Sequence, residues 1–285
     1  IKVGARIRDK RLVKVCANIG SVADAETAIS FGADGVGLFR SEFLYLESAS
    51  FPSEEKQFAA YKAVLEKMAP RPVVIRTLDL GSDKQATYFD IPDEENPALG
   101  YRAIRICLNE PPIFRTQLRA LLRASVYGKL QVMFPMITHL GQVLEIKRII
   151  GQIKAELDKE CVPYSNEIEF GIMVETPAAA VMSDVLAKEV DFFSIGTNDL
   201  TQYTMAADRM NARIRDIFNP ADPAVLRLIE MTARNAHDNG IWVGICGESA
   251  ADTSLTDFYI SLGIDELSVS PASVPTVKKA VIESR

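Results

Sequence analysis

Eight short apolar runs, rich in β-branched and aromatic residues, alternate with longer amphipathic stretches almost to the end of the chain. The runs fall at 13–18, 35–39, 72–76, 130–135, 169–175, 192–196, 242–246 and 266–269. The stretches between them, at 22–31, 53–68, 101–122, 141–158, 178–187, 221–239, 254–262 and 274–284, carry helical periodicity. Strands that alternate with helices are joined by right-handed crossovers and so lie parallel. Eight such units in 285 residues predict one α/β domain, a (β/α)8 TIM barrel. A doubly wound open sheet is disfavoured because no strand is followed by a GxGxxG turn. The barrel is expected over residues 13–285, with the basic run at 1–12 a remnant of an inter-domain linker. Two connections, 78–100 and 198–222, are long and rich in Asp, Asn, Arg or Pro, which marks them as loops that cover or carry a site.

Composition narrows the functional classes. A net charge of −6 argues against nucleic acid as a partner. Four cysteines without a CxxC pair and only two histidines argue against zinc sites and disulfide frameworks. No apolar stretch reaches a membrane-spanning length and no secretory signal is visible, so no membrane partner and a cytoplasmic location are expected.

In a parallel barrel, reactive groups collect where strands end and their loops begin. The second run closes in Phe39-Arg40-Ser41-Glu42 and the third in Ile75-Arg76-Thr77-Leu78-Asp79, with Lys84 just beyond. The fifth closes in Val174-Glu175-Thr176-Pro177, the sixth in Gly196-Thr197-Asn198-Asp199, and the seventh in Cys246-Gly247-Glu248. One account pairs Arg40 and Arg76 with Glu42 and Asp79 as structural ion pairs. The other reads the cations, with Lys84 and Arg209 added, as a cradle for phosphate and carboxylate, whose geometry guanidinium forks match. Glu175 and Asp199 end neighbouring strands, so their carboxylates converge, and a divalent cation such as Mg²⁺ or Mn²⁺ suits such a pair beside a phosphate. Cys246 reads either as a core thiol or as a proton donor, since an unperturbed thiol is mostly protonated at neutral pH.

The segments Ala17-Asn18-Ile19-Gly20, Gly37-Leu38-Phe39-Arg40-Ser41-Glu42-Phe43-Leu44, Ile75-Arg76-Thr77-Leu78-Asp79, Gly100-Tyr101-Arg102-Ala103-Ile104-Arg105, Met173-Val174-Glu175-Thr176-Pro177, Ser194 through Tyr203, Asp208-Arg209 and Cys246-Gly247-Glu248 occur in this order. Together they resemble the phosphoenolpyruvate-binding half of enzyme I of the bacterial phosphoenolpyruvate-dependent sugar phosphotransferase system. The resemblance covers essentially the whole chain. It implies a phosphoenolpyruvate/pyruvate-binding barrel that forms a homodimer. Arg40, Arg76 and Arg209 would be substrate ligands, with Arg102 and Lys84 nearby and Asn198 and Asp199 as further contacts. Glu175 and Asp199 would hold Mg²⁺, and Cys246 would protonate the departing enolate. The phosphoryl acceptor would be a histidine of an N-terminal domain, which passes the group to the histidine phosphocarrier protein. Neither His139 nor His237 lies in a Gly-rich segment of the kind that surrounds that histidine. The sequence departs from the family pattern at Gly81-Ser82, at Ser249-Ala250-Ala251-Asp252 and in ending soon after the eighth helix.

Pyruvate phosphate dikinase and phosphoenolpyruvate synthase resemble the same barrel, and a metal-dependent aldolase shares the Glu and Asp pair without needing the arginines or Cys246. A binding module that holds phosphoenolpyruvate without turnover is the non-enzymatic alternative.

Overall fold

The computed structural model describes residues 5–6, 12–80 and 94–284. Its strands are β1 (Ala5–Arg6), β2 (Leu12–Ile19), β3 (Val36–Arg40), β4 (Pro72–Arg76), β5 (Lys129–Phe134), β6 (Glu169–Val174), β7 (Phe192–Ile195), β8 (Trp242–Ile245) and β9 (Glu266–Val269). Strands β2 to β9 pair in parallel in chain order, and β2 pairs with β9 to close the cylinder. The (β/α)8 barrel expected from the alternation is therefore the observed fold. Strand β1 lies outside it, antiparallel to the start of β2.

Strand side chains alternate between two environments. Leu38, Val74, Met133, Met173, Phe192 and Cys246 form a cluster of their own, with Trp242 packed against it, inside the barrel. The intervening positions, among them Phe39, Ile75, Val132, Ile172, Phe193 and Ile245, join the larger core between strands and helices. The same parity carries the inward rows on to Arg40, Arg76, Glu175 and Asn18. Polar groups at strand ends are thus delivered to the barrel mouth by position alone.

The opposite end is fastened by a recurring aspartate clasp. Asp34, Asp191 and Asp265 each stand just before a strand, and each backbone N–H donates to the carbonyl of the preceding strand at Val15, Phe170 and Val243, respectively. The N–H of that same residue then donates to the aspartate Oδ2, at 2.9 Å, 2.7 Å and 2.9 Å. Each closed pair of bonds contributes on the order of 1 kcal/mol and fixes where neighbouring strands begin, and hence the level at which they end.

The helices depart from expectation in four places, the first being a short unexpected helix, Glu42–Leu46, directly after β3. The stretch 101–122 is divided into Ile104–Asn109 and Pro111–Ala124, because prolines at the start of the second helix cannot continue the first. The segment 178–187 forms two short helices, Pro177–Val181 and Ser183–Leu186. The long connection expected at 198–222 opens instead as a helix, Thr197–Met205, directly after β7. No helix of the described residues is long and apolar enough to cross a membrane.

Candidate active site

Strands β3 and β4 run in register so that Arg40 and Arg76 are Cα partners at the mouth. The two arginines have different surroundings. Arg40 is exposed and lies over the Phe43 ring, 5.6 Å from its centroid, and makes no ion pair among the described residues. Arg76 is 7% exposed and is gripped from two sides, by Glu42 Oε1 at 2.6 Å and Asp79 Oδ2 at 2.8 Å. Structural pairing thus holds for Arg76 and not for Arg40. Burial alone would lower the Arg76 guanidinium, but the Asp79, Glu42 and Glu175 carboxylates outweigh it and raise its pKa. The Arg76 Nε and Glu42 Oε2 atoms are buried with no hydrogen-bond partner among the described residues.

Asp79 links Arg76 to a second buried arginine. Its Oδ1 accepts from Arg102 Nη2 at 3.0 Å, and the same nitrogen lies 3.6 Å from Asp199 Oδ2. Arg102 Nη1 donates to the Tyr203 hydroxyl at 3.2 Å, and that hydroxyl bonds to the Ala98 carbonyl. Tyr203 therefore ties the helix after β7 to the connection after β4.

Glu175 sits just past β6 and is 1% exposed, and its Oε1 accepts from the Met136 N–H at 2.6 Å. Burial, then the nearby Asp199 and Asp79 carboxylates, push its pKa up to about 8, against the opposing pull of Arg102 and Arg76. Space beside it is tight, since a Cβ on Gly196 would stand 3.0 Å from both Glu175 Cβ and Oε2. Asp199 lies in the first turn of the helix Thr197–Met205, so the missed helix is what turns it toward Glu175. The donor set fits a hard divalent cation, because it supplies buried carboxylate oxygens whose mutual repulsion a cation would relieve. Among the described residues no group of three or more His, Cys, Asp or Glu forms a metal cage, so a cation here would have only these two carboxylates as acidic ligands.

Cys246 follows β8, with its N–H bonded to the Ile195 carbonyl at 3.1 Å. It is 6% exposed, so the thiol is buried as a core residue would be, and a proton-donor role requires the substrate to reach it inside the barrel mouth. Burial pushes the thiol up to about 12, although a hydrogen bond with Ser194 and the field of Arg76 work against that rise. Next to it, a Cβ on Gly247 would collide with the Thr197 hydroxyl, so only glycine allows β8 to approach the β7 loop so closely.

The structure thus brings together Arg76, Arg102, Glu175 and Asp199 in one buried charge network, with Cys246 in the barrel interior beside it. Asn198 is half-buried and its Oδ1 accepts from the Glu248 N–H at 3.0 Å, joining the loops after β7 and β8. Arg209 is exposed, and its backbone N–H bonds to Gln202 Oε1 at 3.1 Å. Lys84 lies outside the described residues. Sequence reasoning assigned no role to Tyr203 or to Asn18, whose amide reaches the Cys246 carbonyl. The rule that singled out Glu175, a polar residue closing an apolar strand, applies equally to Asn18.

Comparison with known proteins agrees with this architecture. A family model described as "PEP-utilising enzyme, PEP-binding domain" matches residues 2–285. The chain is 52% identical over 266 residues to a phosphoenolpyruvate-protein phosphotransferase of Priestia megaterium, covering 93% of this chain and 46% of that protein. It is 52% identical over 267 residues to the protein of that name from Bacillus subtilis, covering 94% and 47%. The corresponding figures for Staphylococcus carnosus are 50% over 273 residues, covering 96% and 48%. The chain therefore spans about half the length of these relatives. Among solved structures, an HpcH/HpaI aldolase/citrate lyase family protein from Burkholderia cenocepacia superposes with a TM-score of 0.57 at 14% identity, covering 94% of this chain and 93% of that one, a likeness of fold alone. With both the barrel and its whole-length family match in hand, the chain belongs to the family of PEP-utilising enzymes, as a PEP-binding domain.

Proposed function

We propose that this barrel binds phosphoenolpyruvate together with Mg²⁺, with Mn²⁺ able to substitute, and presents its phosphoryl group to a histidine of another domain in a sugar phosphotransferase relay. The observation that carries the reading is Arg76, a buried guanidinium whose Nε–H has no acceptor among the described residues while Asp79 holds its other arm. A buried donor left unpaired costs about 1–3 kcal/mol, a penalty that a phosphoryl or carboxylate oxygen would remove. Arg40, its strand neighbour, presents a second fork at the mouth, and Arg102 adds a third positive group. Arg209, Asn198 and Lys84 are assigned to the same substrate on the strength of the motifs. Phosphoryl transfer asks a protein mainly for positioning and charge stabilisation, which such a cradle supplies.

Glu175 and Asp199 would hold the divalent cation, which when bound neutralises charge on the phosphoryl oxygens. In the transfer, the bond from phosphorus to the enol oxygen breaks and a bond to the incoming imidazole nitrogen forms, leaving pyruvate enolate. Cys246 then gives the proton on Sγ to the methylene carbon, and Sγ keeps the electron pair as thiolate. A thiol raised to about 12 retains that proton throughout the neutral range. The Arg76 charge, which favours the thiolate, is placed to stabilise what remains. Homodimerisation through the barrel, a histidine phosphocarrier partner and a cytoplasmic setting belong to the same reading.

Adding the histidine-bearing domain in trans with labelled phosphoenolpyruvate tests it. Phosphohistidine should form only with both domains and a divalent cation present, and Glu175→Ala should abolish it. Two folded domains that give no phosphohistidine would reject the reading.

A pH dependence follows from the metal-free geometry. The Glu175 carboxyl has a folded pKa near 8 against 4.5 for an unperturbed group, so the folded state favours the protonated form. Its stabilising contribution is complete below about 4.5 and is lost as pH rises through about 8. The thermal midpoint in chelator should therefore fall between about pH 6 and pH 8, and Glu175→Gln should flatten that slope. An equal slope in both proteins would show that Glu175 is not the group responsible.

A further inference from the structure

We infer that Asn18, at the end of β2, is a positioning residue that fixes Cys246 for proton transfer; the inference rests on the reading of Cys246 as the donor. Its side chain crosses from β2 past β9 to β8. Nδ2 donates to the Cys246 carbonyl at 3.2 Å and to the Ser268 carbonyl at 3.1 Å, while Oδ1 accepts from the Ser268 hydroxyl at 2.6 Å. All three partners agree on one orientation of the amide, because carbonyl oxygens only accept and must face its NH₂.

The reason for the arrangement lies in where the ladders stop. The β8–β9 register ends at Ile245 and Leu267, and the β2–β9 register ends at Ala17 and Val269. Cys246 lies one residue beyond the first ladder, where its carbonyl has lost the strand geometry that holds its predecessors. Its N–H is still held by the Ile195 carbonyl of β7. Asn18 supplies the second anchor, from the strand two places round the barrel. A shift in the pairing of β2 with β3 between Ala17 and Asn18 marks the point at which β2 leaves regular register as this side chain takes up its contacts. Cys246 is thus fastened on both sides of its Cα, which fixes the base from which its thiol, directed to the Ile195 carbonyl at 3.6 Å, reaches into the barrel. Proton delivery to carbon depends steeply on such placement, with misplacement of about 1 Å costing on the order of a hundredfold.

The step can be followed in this chain without a histidine domain. With Mg²⁺ and pyruvate in D₂O at raised pH, where the minor thiolate form of Cys246 becomes populated, that thiolate removes a methyl proton to give the enolate, the resulting thiol exchanges with solvent, and a deuteron returns to carbon with the thiolate regenerated. The readout is loss of the pyruvate methyl proton signal. Wild-type protein should catalyse the exchange and Cys246→Ala should not. Asn18→Asp, which replaces the donating NH₂ by an acceptor facing two carbonyls, should lower kcat for exchange by roughly tenfold or more while KM for pyruvate stays within about twofold. Ser268→Ala, which releases only the amide-orienting bond, should show the same split with a smaller fall in kcat, and it carries the test if Asn18→Asp fails to fold. Cys246-dependent exchange with kcat retained in the folded variants, or with KM rising as kcat falls, overturns the role of Asn18 alone. Exchange that is absent in wild type, or equal in Cys246→Ala, overturns the role of Cys246 and that of Asn18 with it.

Discussion

Replacing Arg76 by methionine is expected to lower the stability of the ligand-free barrel by about 3–5 kcal/mol and, in the protein that remains folded, to weaken phosphoenolpyruvate binding by about 2–5 kcal/mol. The first effect comes from what the substitution leaves behind. Glu42 and Asp79 are 3% exposed, and both face Arg76 at ion-pair distance. Methionine keeps most of the volume but none of the charge, so carboxylates buried beside Glu175 lose a neutralising neighbour. The second effect comes from the loss of the fork itself. Arg76→Lys separates the two, because a lysine restores charge but presents neither the planar fork nor the Nε–H. Lysine should recover much of the stability and little of the affinity. Denaturant unfolding and calorimetric titration read these quantities independently. Full affinity in Arg76→Met would confine this arginine to structural pairing.

Cys246→Ala should separate binding from chemistry in the opposite sense. The side chain is small, so its removal should cost on the order of 1 kcal/mol of stability. Phosphoenolpyruvate affinity should stay within about threefold, because the thiol is neutral and meets the substrate only as the enolate forms. Pyruvate formation in a system completed with the histidine domain should fall by about a hundredfold or more, the usual span for loss of a positioned general acid. Burial adds a check. At 6% exposure the thiol should react slowly with iodoacetamide in the folded protein, while the exposed Cys161 reacts first. Pyruvate release at the full rate from Cys246→Ala would assign the proton to another source.

Much of this was legible in the sequence because a parallel barrel reduces three dimensions to order and parity. Runs that end in Arg76, Glu175 and Cys246 place those residues on inward rows of the alternate strands β4, β6 and β8, and the register of β6 with β7 brings Glu175 beside the start of the helix that carries Asp199. That helix was missed because its first turn, Thr197-Asn198-Asp199, is made of residues that favour loops and caps. Polarity there serves the mouth of the barrel and conflicts with local propensity. The division at Pro111 and Pro112 carried its own signal in two prolines, which apolar periodicity on either side obscured. The pairing of Asp79 with both Arg76 and Arg102 was not legible, since twenty-three residues separate Asp79 from Arg102 and part of that connection has no regular pattern. The depth of Cys246 was likewise hidden. Its burial follows from the close approach that Gly247 allows and from the packing of Met133, Met173 and Phe192 beneath it, none of which spacing alone conveys.

The central claim is that the buried arginines and the Glu175 and Asp199 pair form one phosphoenolpyruvate site that is complete only with a divalent cation. Calorimetric titration of the chain with phosphoenolpyruvate, in Mg²⁺ and again in chelator, tests it most directly. Saturable binding of one phosphoenolpyruvate per chain in Mg²⁺, weakened at least about tenfold by chelator and by Asp199→Ala to a similar extent, is the expected result. Equal affinity with and without the metal, or binding unaffected by Asp199→Ala, would contradict it.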